Sequence, residues 1–367
     1  MEIERETEQE LEWSRAQGIV ISMDLLPAAK QQLEFLAVVD RNRWLYEGPE
    51  LERAIHRYNS CWLPLLDKHS ASPLFDGPLV VPLDCEWVWH CHRLNPVRYK
   101  FDCEEFFGRI LDCSSVVSSI NEFCRKDTEA TWNSLYPDEP YQFDLVCEVD
   151  GNKKPPEPRK SSTYDFLSAS KRQISFFYQV SKPHMMNEVF LAEAVARYKG
   201  FLHLKRRNNE RSISQFCVPT YDIDLIWHAH QLNPACYCDD VTKALGELLG
   251  HDDSAADRTK GLKLDTGYRA TLKQWEDTFG SRYWKAGSMY RGPPPSPVSS
   301  VPLHPMASGS DMPDGLIPSF DLHRFEMVEV IFSMLKLSIL VFAMQSVYDR
   351  RQISGLCRSC GSEELTR

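Results

Sequence analysis

Two stretches of the chain set histidines and carboxylates at spacings that suit a divalent metal ion. They are Asp84-Cys85-Glu86-Trp87-Val88-Trp89-His90-Cys91-His92-Arg93-Leu94-Asn95-Pro96 and Asp222-Ile223-Asp224-Leu225-Ile226-Trp227-His228-Ala229-His230-Gln231-Leu232-Asn233-Pro234. Both reduce to D-x-[DE]-x-x-W-H-x-H-x-L-N-P, 138 residues apart, with Tyr99 or Tyr237 just beyond the proline. Imidazole, thiolate and carboxylate are the usual side-chain ligands of zinc and its neighbours. On a helix, residues four apart share a face, which puts Glu86 beneath His90 and Asp224 beneath His228 and turns His92 and His230 elsewhere. A third ligand type recurs 21 residues after the second histidine, as His251 in the second copy and Cys113 in the first. The second copy adds Asp252 and Asp253. The candidate metal site is therefore Asp224, His228 and His251 with Asp252 alongside, and its first-copy counterparts are Glu86, His90 and Cys113.

The same residues also support a purely structural reading. A carboxylate four residues before a histidine stabilises a helix, and Asp84 and Asp222 can cap its first turn. Trp89, His92, Trp227 and His230 can knit that helix to its neighbours. Nucleophilic catalysis has little support, because no serine lies in a G-x-S-x-G elbow and no cysteine stands in a recognisable catalytic setting. The phosphate-binding G-x-x-x-x-G-K-[ST], a G-x-G-x-x-G after a strand and an aromatic RNA-recognition signature are all missing. Trp44, Trp62, Trp87, Trp132, Trp275 and Trp284 read as core residues rather than base-stacking platforms.

The elements that must position these residues are themselves repeated. Ala54-Ile55-His56-Arg57-Tyr58 answers Ala194-Val195-Ala196-Arg197-Tyr198, and Thr128, Trp132 and Tyr136 answer Thr271, Trp275 and Phe279. Apolar residues recur at helical spacing and few stretches alternate with period two, so the fold expected is mainly α. It comprises two tandem helical repeats of about 120 residues packed as one two-lobed unit, followed by an irregular Pro/Ser-rich extension. The divisions are 1–24, an acidic N-terminal helix; 25–147, repeat 1; 148–163, a proline-rich linker; 164–290, repeat 2; 291–324, a Pro/Ser-rich spacer; and 325–367, an apolar segment and tail. Helices are expected over Tyr99 to Leu111, Ile174 to Val180, Asn187 to Lys205, Thr220 to Leu232, Pro234 to Leu249 and Tyr268 to Tyr283.

With 43% hydrophobic and 26% charged residues among 367, the chain is ordinary globular material. Its formal net charge of −10 argues against a DNA partner, since nonspecific affinity for nucleic acid comes from clustered lysine and arginine. The twelve cysteines read as reduced thiols, and the acidic N-terminus lacks a secretory pattern, which points to the cytosol or nucleus. The apolar run from Val328 to Tyr348 is interrupted by Lys336, leaving uncharged stretches too short to span a bilayer, so a membrane partner is not expected. A membrane-associated adaptor remains an alternative.

The paired motifs, the run Gly246-Glu247-Leu248-Leu249-Gly250-His251-Asp252-Asp253 and the Trp275 to Trp284 segment resemble the N-terminal region of the plant glycine-rich domain-containing proteins, formerly a domain of unknown function. The resemblance covers roughly residues 10 to 290 and fades by about Ser333, so the chain looks like an abbreviated member. It implies a non-enzymatic regulatory or interaction protein with protein partners, linked to development and to hormone and osmotic-stress responses. Family members carry an RNA-binding segment and a glycine-rich tail after this region. With 17 glycines and no such tail, this chain does not inherit the RNA-binding expectation. The alternative left open by the residues is a metal-dependent enzyme or metal sensor using the second-copy cluster.

Overall fold

The computed structural model describes residues 2–121, 125–144, 161–251 and 257–295. These residues are mainly helical. The linker's proline-rich centre, Asp252, the spacer beyond residue 295, the apolar run and the terminal cysteine pair fall outside them. The N-terminal segment forms α1 (Glu2–Gln17). Repeat 1 follows with α2 (Leu25–Arg41), α3 (Pro49–Arg57), α4 (Leu63–Ala71), the motif helix α5 (Leu83–Arg93), α6 (Pro96–Phe107) and α7 (Arg125–Leu135). Repeat 2 contributes α8 (Phe166–Val180), α9 (Glu188–Glu210), the motif helix α10 (Tyr221–Gln231), α11 (Pro234–Leu245) and α12 (Lys263–Phe279). Two two-residue strands, β1 (Leu79–Val80) and β2 (Val116–Val117), pair in parallel.

Local chemistry sets most of these boundaries. Asp24 caps α2 by accepting from the Leu26 amide, and Asn95 caps α6 by accepting from Arg98 while Pro96 takes the first position. Apolar spacing predicts that α6 runs to Leu111 and α11 to Leu249; both stop four residues sooner, at Gly108 and Gly246 with φ of 73° and 82°. That left-handed backbone suits glycine and ends a helix. The leucines beyond are used differently, since their carbonyls accept from the Tyr99 and Tyr237 hydroxyls. Where repeat 2 has the single long α9, repeat 1 is split by a π-helical turn over Tyr58–Trp62 that carries the chain past Pro64.

The two lobes interlock. The leading helix of repeat 1, α2, packs on α9 and α10 of repeat 2, and the leading helix of repeat 2, α8, packs on α3 and α5 of repeat 1. Matching latches close both crossings: Ser22 gives its amide and hydroxyl to Asp240, at 2.7 and 2.9 Å, and the Ser162 hydroxyl donates to Asp102. The acidic helix α1 also crosses over, setting Trp13 edge-on against Trp275 and Phe279. At the centre, Trp62, Trp87, Trp89, Trp132 and Trp275 are fully buried, whereas Trp284 is exposed and does not join the core. Truncating one such indole costs about 3–5 kcal/mol.

Candidate metal centre

Most motif positions do the same job in both copies. Asp84 and Asp222 do not cap their helices, whose N-cap residues are Pro82 and Thr220. They accept instead from the Nε of Arg57 and Arg197, at 2.7 and 2.8 Å. The Trp89 and Trp227 indoles donate to the Tyr99 and Tyr237 hydroxyls, both at 2.9 Å. The second histidine is held on both sides: His92 has the Tyr58 hydroxyl 2.9 Å from Nδ1 and Asp102 3.1 Å from Nε2. His230 has Tyr198 at 3.1 Å and Asp240 at 3.3 Å. Burial lowers the pKa of both imidazoles, even with a carboxylate alongside. These residues build the core, which leaves the first histidine and the second carboxylate of each motif for chemistry.

In repeat 2 those two groups meet the third predicted residue. His228 Nε2 lies 3.4 Å from His251 Nε2 and 3.6 Å from Asp224 Oδ1, and His251 Nε2 lies 3.8 Å from the same oxygen. Ligands about 2.0–2.1 Å from a tetrahedral zinc ion stand about 3.3 Å apart, so these separations approach the edges of one coordination polyhedron. His228 is buried against Phe176, with ring centres 4.2 Å apart. Burial, helped by neighbouring His251 and His90, drives its pKa well below the ordinary value and keeps it in the neutral form that binds metal. His251 Nδ1 lies 3.1 Å from the Leu94 carbonyl of the first motif. A carbonyl only accepts, so this contact puts a proton on Nδ1 and, in the neutral ring, leaves the Nε2 lone pair facing Asp224 and His228.

Repeat 1 does not gather its counterparts. Glu86 turns away to accept from the amide and hydroxyl of Ser119, at 2.7 and 2.5 Å. Cys113 reaches across the lobe junction to within 3.2 Å of the Asn233 side-chain oxygen. His90 stacks on Trp87, with 5.5 Å between ring centres. Among the described residues, Asp224, His228 and His251 are the group that brings three metal-ligating atoms together. They form part of the wall of a cavity of about 630 Å³, within the usual range for small-molecule sites.

Sequence reasoning overlooked the residues that anchor the motif helices and the group that meets His251. The repeated Arg-Tyr pairs, Arg57-Tyr58 and Arg197-Tyr198, were visible and supply the partners of the motif aspartates and second histidines. The Leu94 carbonyl carried no signal, because its role depends on the packing of one lobe on the other.

The family model described as "Glycine-rich domain-containing protein-like" matches twice, over residues 1–102 and 98–240. Glycine-rich domain-containing protein 1 of Arabidopsis thaliana is 59% identical over 303 residues, which cover 82% of this chain and 37% of that protein. Glycine-rich domain-containing protein 2 of the same plant is 60% identical over 301 residues, covering 82% and 38%. The chain thus spans less than two fifths of the length of these relatives. No solved structure matches it. By the two family-model matches and the extent of this identity, the chain belongs to the glycine-rich domain-containing protein-like family.

Proposed function

We propose that this chain is a non-enzymatic regulatory module whose second repeat binds a divalent metal ion through Asp224, His228 and His251. The convergence of two imidazole nitrogens and a carboxylate oxygen within 3.4–3.8 Å carries the reading. Three protein ligands leave coordination positions open to the cavity, an arrangement that also suits a catalytic metal and so favours a metal-dependent enzyme as second reading. Two cavity groups, Tyr221 and Cys217, fit the non-enzymatic role. Burial pushes Tyr221 up to about 12 and raises the Cys217 thiol, which leaves neither poised as a base near neutral pH. In this proposal the module acts through protein partners in cytosol or nucleus, in the developmental, hormone and osmotic-stress responses that the family implies. Among the described residues no helix is long and apolar enough to cross a membrane.

Elemental analysis of the purified full chain tests the metal reading. One equivalent of zinc or a neighbouring divalent metal is expected, and it should disappear in His228→Ala and in His251→Ala. A wild-type chain that neither carries nor takes up metal overturns the proposal, as does retention of the full equivalent in both variants.

A further inference from the structure

The cavity beside the metal centre is charged more unevenly than a metal site alone requires. Among the described residues its lining holds three cationic side chains, Arg172, Lys205 and Arg258, and one carboxylate, Asp224. If Asp224 is engaged by a divalent ion, the described lining carries a net positive charge, and a positive field in a partly desolvated site favours an anionic guest. Arg258 is held in place by its surroundings: Nη2 donates to the Tyr221 hydroxyl at 3.0 Å, and its Cζ lies 4.4 Å from the Tyr290 ring centre and 5.6 Å from that of Tyr221. A guanidinium fixed over two rings still has N–H donors to offer in the fork geometry that matches a carboxylate.

The rest of the lining describes the body of the guest. Phe176, Phe216, Trp227 and Tyr290 give the cavity an aromatic wall, and its volume of about 630 Å³ admits a ring system. The Gln173 side chain, 3% exposed, adds an amide whose oxygen has no hydrogen-bond partner among the described residues, and the Gln215 amide nitrogen is likewise unpartnered. Both atoms are sealed from the cavity space, so a guest reaches them only when these side chains turn.

We propose that this cavity binds a small aromatic carboxylate, its ring against the aromatic wall and its carboxylate shared between Arg258 and the open face of the metal held by Asp224, His228 and His251. The metal contact rests on the function proposed above; the charge and shape of the cavity do not. The carboxylate gives selectivity over neutral isosteres, because an amide cannot replace a charge-assisted pair with arginine. Lys205 adds to the field.

Calorimetric titration of the zinc-supplied full chain with 2-naphthoate and its neutral isostere 2-naphthamide tests the proposal. The acid should bind at least about tenfold more tightly than the amide. Arg258→Gln should weaken acid binding by about tenfold while leaving thermal stability near wild type, and Lys205→Gln gives a second variant should the first fail to fold. Equal affinity for acid and amide, no binding of the acid, or undiminished binding in both variants overturns the inference. Repeating the titration after chelation separates the two readings. Acid binding that survives chelation and depends on Arg258, in a chain that takes up no zinc, defeats the metal proposal and leaves the acid pocket standing. Zinc uptake without acid binding does the reverse.

Discussion

His90 and His228 hold the same motif position, yet their neighbours give them opposite prospects. His228 faces two ligating groups, whereas His90 lies between Phe35 and Trp87 and its Nε2 has no hydrogen-bond partner among the described residues. Burial pushes the His90 pKa down to about 3, with Arg93 adding to the effect, so it is neutral in the folded chain across the physiological range. Because the unfolded chain regains an ordinary histidine value of about 6.5, it binds the extra proton first as pH falls. Stability is therefore unaffected above about 6.5 and is lost progressively from there down to about 3. At pH 5 this single group should cost about 2 kcal/mol. Urea unfolding in chelator at pH 7.5 and 5.0 measures it: the wild type should lose about 2 kcal/mol more than His90→Gln between the two, and equal losses would contradict the assignment. Sequence showed which residues could ligate, because carboxylate and histidine four apart must share a helical face. It misassigned Asp84 and Asp222 as caps, since their true partners, Arg57 and Arg197, lie 27 and 25 residues away and on another helix.

At the scale of elements, close approach rather than propensity explains several choices. Gly200 sits inside α9, where alanine would ordinarily gain about 1 kcal/mol. A Cβ there would stand 2.7 Å from Trp275 Cη2 and 3.1 Å from the Trp13 ring, between repeat 2's own tryptophan and the one that α1 brings over. Gly200→Ala should therefore destabilise by about 1–3 kcal/mol and lower the thermal midpoint; a raised midpoint would show that the indoles yield freely. Helix existence was legible from apolar spacing, and the N-terminal edge of α6 from Asn95-Pro96. C-terminal edges were less so, because Gly108, Gly246 and Gly280 end their helices through left-handed backbone, while the apolar leucines beyond the first two look like a continuing helix. The expected helix to Tyr283 likewise stops at Phe279, and it begins at Lys263 rather than Tyr268.

At the scale of the whole molecule, the duplication was plain in sequence but its crossing was not. Internal similarity says which segments are equivalent; it does not say whether equivalent helices pack within their own copy or trade places. Here α1, α2 and α8 each pack on the other repeat, and the Ser22–Asp240 and Ser162–Asp102 latches fasten the exchange. Neither lobe then has a complete core of its own, so residues 2–295 should unfold as one cooperative unit. Circular dichroism and tryptophan fluorescence should report the same denaturant midpoint, and two resolved midpoints would contradict the interlock. The crossing also shapes the candidate metal centre, because the Leu94 carbonyl of repeat 1 contacts His251 of repeat 2. The most direct test of that centre is the visible spectrum of the full chain titrated with cobalt(II). A low-symmetry cobalt band is expected that saturates at one equivalent, vanishes in His228→Ala and persists in Cys113→Ser. A spectrum that stays that of free cobalt, or a band unchanged in His228→Ala, would contradict it.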